Sequence, residues 1–160
     1  MHEIEIVRIG ADDWREFREV RLASLADSPA AFGSRYDAWV DAPEERWRSR
    51  LTDVPLTLVA RQAGRPVGVV SGSPEGDDEV ELISMWVGPG LRGTGLARAL
   101  VAAVVAWAAA QHRTTVLMVR SDNDRARAAY ERAGFVDTGV PADHPADEPP
   151  ENRMVHRPVP

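Results

Sequence analysis

The apolar residues of this chain change their spacing several times along its length, and each change predicts an element. Ile4–Ile9 reads as a strand. From about Asp12 to Ala26 the steps lengthen to three and four, with Trp14, Phe17, Arg21 and Leu25 on one face, which predicts a helix. A second helical region is expected from Tyr36 to Leu51, where Pro43 suits a first turn and Trp47 and Leu51 follow at i, i+4. Leu56–Arg61 and Val67–Gly72 predict a hairpin around Ala63-Gly64-Arg65, followed by a strand over Glu79–Val87 and a helix over Thr94–Gln111. Strands are expected at Thr115–Arg120, Phe135–Val140 and Arg153–Arg157. Between the first two lies a helix from Asp122 to about Gly134, with Ser121, Asp122 or Asn123 as its N-cap and Gly134 as its stop. Hairpins first and βα units later imply an α/β (α+β) fold: a mixed, mostly antiparallel sheet of six to seven strands with helices on both faces.

The junction between the Glu79–Val87 strand and the helix after it carries the candidate chemistry. Gly93 and Gly95 lack a Cβ, so a ligand can approach the backbone. The first free N–H groups of the helix point outward there, with the positive end of its dipole behind them, which suits a diphosphate. Two motifs share this turn. Gly88-Pro89-Gly90-Leu91-Arg92-Gly93 spells the Gly-x-Gly-x-x-Gly of a dinucleotide site, with Asp122 as a candidate ribose-binding acid. Fewer than half of the residues follow Val87, too few for the further βα units of a doubly wound sheet, and the preceding strands are hairpin-like.

The second motif, Arg92-x-x-Gly95-x-Ala97, resembles the (Gln/Arg)-x-x-Gly-x-(Gly/Ala) signature of the GNAT family of N-acetyltransferases. About thirty residues on, Asn123, Ala126, Tyr130, Gly134 and Phe135 match the run Asn-x-x-Ala-x-x-x-Tyr-x-x-x-Gly-Phe of the same family. The resemblance covers nearly the whole chain, although Ala11–Thr52 carries no signature. It implies a fold whose two central strands, here those ending at Val87 and Val119, splay apart to admit the pantetheine arm of acetyl-CoA.

At 160 residues the chain is long enough for one domain with a single core. With no Cys and four scattered His, neither a disulfide framework nor a metal site is expected. All nineteen basic residues are Arg, so acetylation of its own lysines is excluded. A net charge of −6 disfavours nucleic acid or an anionic membrane as partner. The start lacks a basic-apolar signal segment, and the apolar run Ala99–Ala110 falls short of the ~20 residues that span a bilayer, so a cytoplasmic location is expected.

The resemblance assigns roles residue by residue. Trp86, Val87 and the turn Arg92, Gly93, Thr94, Gly95, Leu96, Ala97 and Arg98 would bind the coenzyme, with the Val87 N–H facing the oxyanion and Asn123 holding the pantetheine or a water. Tyr130 would donate to the departing sulfur. Glu81 is the candidate base: an amine with a pKa near ~10.4 is largely protonated at neutral pH and must lose a proton before it attacks. Even spacing puts Glu81, Ile83, Met85 and Val87 on one face of their strand. Ser84, Glu79 and Glu148 are fallbacks. For the acceptor, Phe32, Tyr36, Trp39 and Trp86, with the acidic loop Asp143–Glu151, suit a small cationic amine of polyamine or aminoglycoside type ahead of a protein amino terminus. An acetyl-CoA sensor without catalysis is the alternative. Dimers are common in the family, and Val155–Pro160 is a candidate interface segment weakened by Pro158 and Pro160.

Overall fold

A computed structural model describes residues 3–27 and 36–157. Seven strands form one sheet in the order β1-β2-β3-β4-β5-β7-β6. They are β1 (Ile4–Arg8), β2 (Leu56–Gln62), β3 (Arg65–Glu75), β4 (Glu79–Val87), β5 (Thr114–Arg120), β6 (Phe135–Asp137) and β7 (Glu151–His156). Every neighbouring pair is antiparallel except β4 and β5. The helices are α1 (Trp14–Asp27), α2 (Tyr36–Trp39), α3 (Glu44–Asp53), α4 (Leu96–Ala109) and α5 (Asp124–Arg132). This is the mixed, mostly antiparallel sheet expected.

Strand alternation sorts the core into two halves. Leu56, Leu58 and Ala60 of β2, with Val70, Val80 and Leu82, pack on α4 through Leu100 and Val104. Val59 and Val69 face the other way, onto Phe17 and Val20 of α1 and Trp47 and Leu51 of α3. Phe17 and Trp47 are wholly buried and meet edge to face, with ring centres 5.9 Å apart. Truncating either would cost about 3–5 kcal/mol. Among the described residues no helix is long and apolar enough to cross a membrane.

The single helix expected over Tyr36–Leu51 is two. Pro43 has no N–H to donate and keeps Ala42 out of helical geometry, so the chain extends at Pro43 and α3 starts at Glu44. The last interval also differs: β6 stops at Asp137, where the Gly139 N–H turns back onto the Asp137 carboxylate at 2.8 Å. The candidate interface residues Val155 and His156 belong to β7, which lies between β5 and β6 inside the sheet. The exposed sheet edges are β1 and β6.

Two irregularities of β4 shape the centre of the sheet. Its parallel ladder with β5 runs only through Glu79↔Thr114, Val80↔Thr115 and Glu81↔Val116. Beyond Glu81 the two strands part, as the resemblance implied. On the other side, the register with β3 shifts between Val69↔Trp86 and Ser71↔Ile83, and Ser84 there takes φ +58°. Three steps of β4 oppose two of β3, which is a β-bulge. The bulge overturns the expectation that Glu81, Ile83, Met85 and Val87 share a face. Val87 instead joins Val80 and Leu82 in the α4 half of the core, with Met85 packed against it, because the extra residue inverts the alternation.

Candidate active site

The parted strands open a cavity of about 540 Å³. Glu81, Ser84, Trp39, Asn123, Tyr130 and Glu151 are among the residues that line it. Glu81 stands on the last rung before β4 and β5 separate. Burial, and then the charges of Glu75 and Glu151, push its carboxyl above the usual carboxylate range. Tyr130 packs on Phe135 of β6 with ring centres 5.7 Å apart. Desolvation pushes its phenol up to about 12, so at neutral pH it is an uncharged donor.

Asn123 is the N-cap of α5: its Oδ1 accepts from the Ala126 N–H at 3.2 Å. That settles the choice among Ser121, Asp122 and Asn123, and the cap bond does not use the amide nitrogen of Asn123, a residue that lines the cavity.

At the far end of β4 the Gly88 N–H donates to Val67 O at 2.8 Å. Alternation then turns the N–H and C=O of Val87 away from β3, toward the side where β5 has left. Gly93 and Gly95 have φ of +81° and +90°, and a Cβ on either would meet nothing within 4 Å. Glycine serves these positions through its backbone freedom, and the space beside them is open. The first four-residue bond of α4 runs from Ala99 N to Gly95 O, so the amides of Leu96, Ala97 and Arg98 lie before it with no helical acceptor. Ala97 and Arg98 are exposed, whereas the Leu96 side chain is buried in the core and anchors the turn. The Thr94 amide bonds to Leu91 O at 3.3 Å and its hydroxyl donates to the same oxygen at 2.5 Å, so Thr94 closes the turn. Gly88 of the competing dinucleotide motif is small for a sheet reason: a Cβ there would come within 3.2 Å of Val67 O.

Arg92 is tied down. Its Nε donates to Val87 O at 3.2 Å and its Nη2 to Asp27 Oδ2 at 2.5 Å, and the same carboxylate oxygen accepts from Trp86 Nε1 at 2.9 Å. Asp27 thus clasps the end of α1 to the turn. No spacing in the sequence marks it, because the partners lie 59 and 65 residues away.

The expected acceptor residues scatter. Phe32 lies outside the described residues. Tyr36 is exposed on α2, and Trp86 turns toward Asp27, outside the cavity lining. Trp39 does line the cavity, its ring tilted against Trp47 with centres 4.8 Å apart, but the Arg46 guanidinium already covers it at 4.0 Å. Of the acidic loop only Glu151, at the start of β7, reaches the lining. The fallback Glu79 is held by Arg153 at 2.6 Å, Glu148 is exposed, and Ser84 accepts from Arg50. Among the described residues no cluster of three His, Asp or Glu could hold a metal.

Two further cavity residues belong to no motif in the sequence. Arg21 is 7% exposed and lines the cavity beside Arg50. Their signal lies in the helical spacing: Arg21 sits on the apolar stripe of α1, and Arg50 follows Trp47 by three positions on α3.

Comparison with known proteins agrees with this geometry. The model of the acetyltransferase (GNAT) family matches residues 14–135. An uncharacterised N-acetyltransferase of Mycobacterium tuberculosis is 37% identical over 124 residues, which cover 75% of this chain and 80% of the relative. Among solved structures, a GNAT-family acetyltransferase from Streptococcus pneumoniae superposes with a TM-score of 0.77 at 20% identity, over 97% of this chain and 100% of that one. The PaiA N-acetyltransferase of Thermoplasma acidophilum, solved in complex with coenzyme A, does so with 0.74 at 15% identity, over 97% and 99%. With the two spaced motifs, the parted strands and a family match over most of its length, the chain belongs to the GNAT family of acetyltransferases.

Proposed function

We propose that this protein transfers the acetyl group of acetyl-CoA to a primary amine, by direct attack while donor and acceptor are bound together. The observation that carries this reading is the opening of β4 from β5 immediately beyond Glu81, with Glu81 and Tyr130 lining the same cavity. The coenzyme complex of the Thermoplasma acidophilum fold neighbour supports the choice of donor.

The residues present suit that donor. Open space at Gly93 and Gly95 and the free amides of Leu96, Ala97 and Arg98 would hold its diphosphate, and the Arg98 side chain would add charge nearby. The Asn123 amide nitrogen would steady the pantetheine arm. Acetyl-CoA supplies an acetyl group activated as a thioester.

Glu81 takes a proton from the acceptor ammonium, directly or through one water, so that the nitrogen lone pair can form the new C–N bond. Desolvation makes this carboxylate a stronger base than a free one. The Val87 N–H stabilises the carbonyl oxygen as it gains charge, and a fixed amide does so with little reorganisation. As the C–S bond breaks, Tyr130 donates a hydrogen bond to sulfur. A thiol titrates near ~8.5, well below Tyr130, so the phenol steadies the thiolate and keeps its own proton. Glu81 hands that first proton to solvent, and the nitrogen gives up its second proton by the same carboxylate or a water as the C–S bond breaks, so that two protons are released with the amide and the CoA thiolate.

A thiol-reagent assay over a panel of amines tests the reading, and the absence of Cys from the chain means that the reagent reports only released CoA. Turnover is expected for the parent protein and a large loss for Glu81→Gln. Tight acetyl-CoA binding with no turnover on any amine would overturn catalysis in favour of a sensor.

A further inference from the structure

The acceptor end of the cavity is cationic, which is unusual for a slot that must admit an ammonium. Arg50 reaches in from α3, where its Nη2 meets two hydroxyls, Ser71 Oγ at 3.3 Å and Ser84 Oγ at 3.1 Å. Ser71 is in turn bonded to Thr57 at 3.0 Å. These are neutral partners. They orient the guanidinium and leave its charge uncancelled. Its Nη1 is buried with no hydrogen-bond partner, and among the described residues Arg50 forms no ion pair with a carboxylate. Phe17 covers its flank at 5.3 Å. Arg21 brings a second guanidinium to the same wall.

Holding two like charges together away from water is costly. Burial lowers Arg50 to about 10, and burial and then the charge of Arg50 lower Arg21 to about 10, so both still carry their charge at neutral pH. A buried guanidinium held only by hydroxyls is a receptor for an anion, because a carboxylate arriving there gains charge-assisted hydrogen bonds from a fork already in place. Glu81, in the same cavity, suits the opposite charge.

We propose that the acceptor is a small amine that also carries a carboxylate, an amino acid in the broad sense, with Arg50 backed by Arg21 receiving the carboxylate while Glu81 receives the ammonium. The proposal rests on the acetyl-transfer reading of this cavity. It replaces the polyamine-like acceptor that the aromatic and acidic residues had implied, since a polycation would meet Arg21 and Arg50 head on. The bulge ties the two poles to one strand: Ser84, which touches Arg50, is three residues from Glu81, a backbone span of about 10 Å at most. Glu81 and Glu151 in the same cavity favour a monoanion over a phosphate dianion.

The test pairs free α-, β- and γ-amino acids with their amides, and adds spermidine and aminomethylphosphonate. CoA release is measured alongside calorimetric binding of each compound to the CoA-loaded protein. At least one free acid is expected to show kcat/KM ten or more times that of its amide. Arg50→Gln is expected to raise KM for that acid 10- to 100-fold and bring the acid-to-amide ratio near one, with KM for acetyl-CoA unmoved. Arg50→Lys should restore part of the preference if charge at this position selects the substrate. Amides or spermidine matching the acids overturn the proposal, as does a preference for the phosphonate. So does an equal loss on acids and amides in Arg50→Gln, which would mark a structural role. Arg50-dependent binding of a free acid with no turnover supports the assignment and sinks the catalytic reading instead; neither binding nor turnover of any free acid overturns the assignment.

Discussion

The two halves of the proposed site are built in opposite ways. The proposed coenzyme half is local: Val87, the turn through Gly95, and the first amides of α4 follow one another along the chain, so short-range backbone geometry makes it. The acceptor end is assembled from α1, α3 and β4, whose contributing residues Arg21, Arg50 and Ser84 are far apart in sequence and meet only through packing. On the proposed reading a diphosphate is held by main-chain amides, which any sequence supplies once the turn forms. An acceptor must be told from other amines by side chains, which vary freely without disturbing that turn. If the proposed assignments hold, the shared chemistry lies with the turn after β4 and the specificity with the side chains of α1, α3 and β4.

Substitutions on each side should therefore move different constants. The largest effect is expected from Glu81→Gln, a fall in kcat of about 10²- to 10³-fold, with acetyl-CoA affinity within about twofold of the parent. The acidic limb of the kcat profile that Glu81 governs should vanish with it. That limb should lie above the ordinary carboxylate range, because burial disfavours the charged form. A carboxyl raised on folding stabilises the fold at low pH and loses that contribution as pH rises through its folded value, so Glu81→Gln should melt slightly higher than the parent at neutral pH. A lower melting temperature there would contradict the burial argument.

Next in size is the coenzyme end. Gly95→Val must force a β-branched residue to φ +90°, and acetyl-CoA Kd measured by calorimetry should rise 10-fold or more. Tyr130→Phe removes one hydrogen bond to a charged sulfur, which predicts a fall in kcat of about 10- to 100-fold with KM for acetyl-CoA nearly unchanged. A large change in KM with kcat intact would move Tyr130 from chemistry to binding.

The smallest effect is expected where the two ends are clasped. Asp27→Asn weakens the partly exposed pair with Arg92 but keeps a hydrogen-bonding oxygen. Pairs of this kind contribute about 0–1 kcal/mol, so a melting temperature within a few degrees of the parent is expected. Loss of the fold would show that the clasp is structurally essential.

The same contrast explains what the sequence makes legible. Strand and helix order and the glycine turn after β4 follow from patterns spanning a few residues, whereas the splayed centre is implied by the family resemblance alone, and the cap of α5 stays open among Ser121, Asp122 and Asn123 until the Asn123–Ala126 hydrogen bond fixes it. The break at Pro43 is a local event whose helical flanks conceal it. The bulge at Ser84 does leave a trace, since the apolar positions of β4 change phase from Val80 and Leu82 to Ile83, Met85 and Val87, but only the register against β3 shows which residue is the extra one. Asp27 cannot be anticipated from any spacing. The buried arginines leave a trace, two charges on apolar helical faces, which gains meaning once both faces turn onto one cavity.

The central claim is that the amides at the start of α4 and the opening between β4 and β5 together receive acetyl-CoA. Amide chemical-shift perturbation during a titration with acetyl-CoA measures this residue by residue. Saturable shifts concentrated at Val87, Gly93, Gly95, Leu96, Ala97, Arg98 and Asn123, with little change along β1, are the expected result. Shifts that avoid the turn and the parted strands, or none at millimolar coenzyme, would contradict the account.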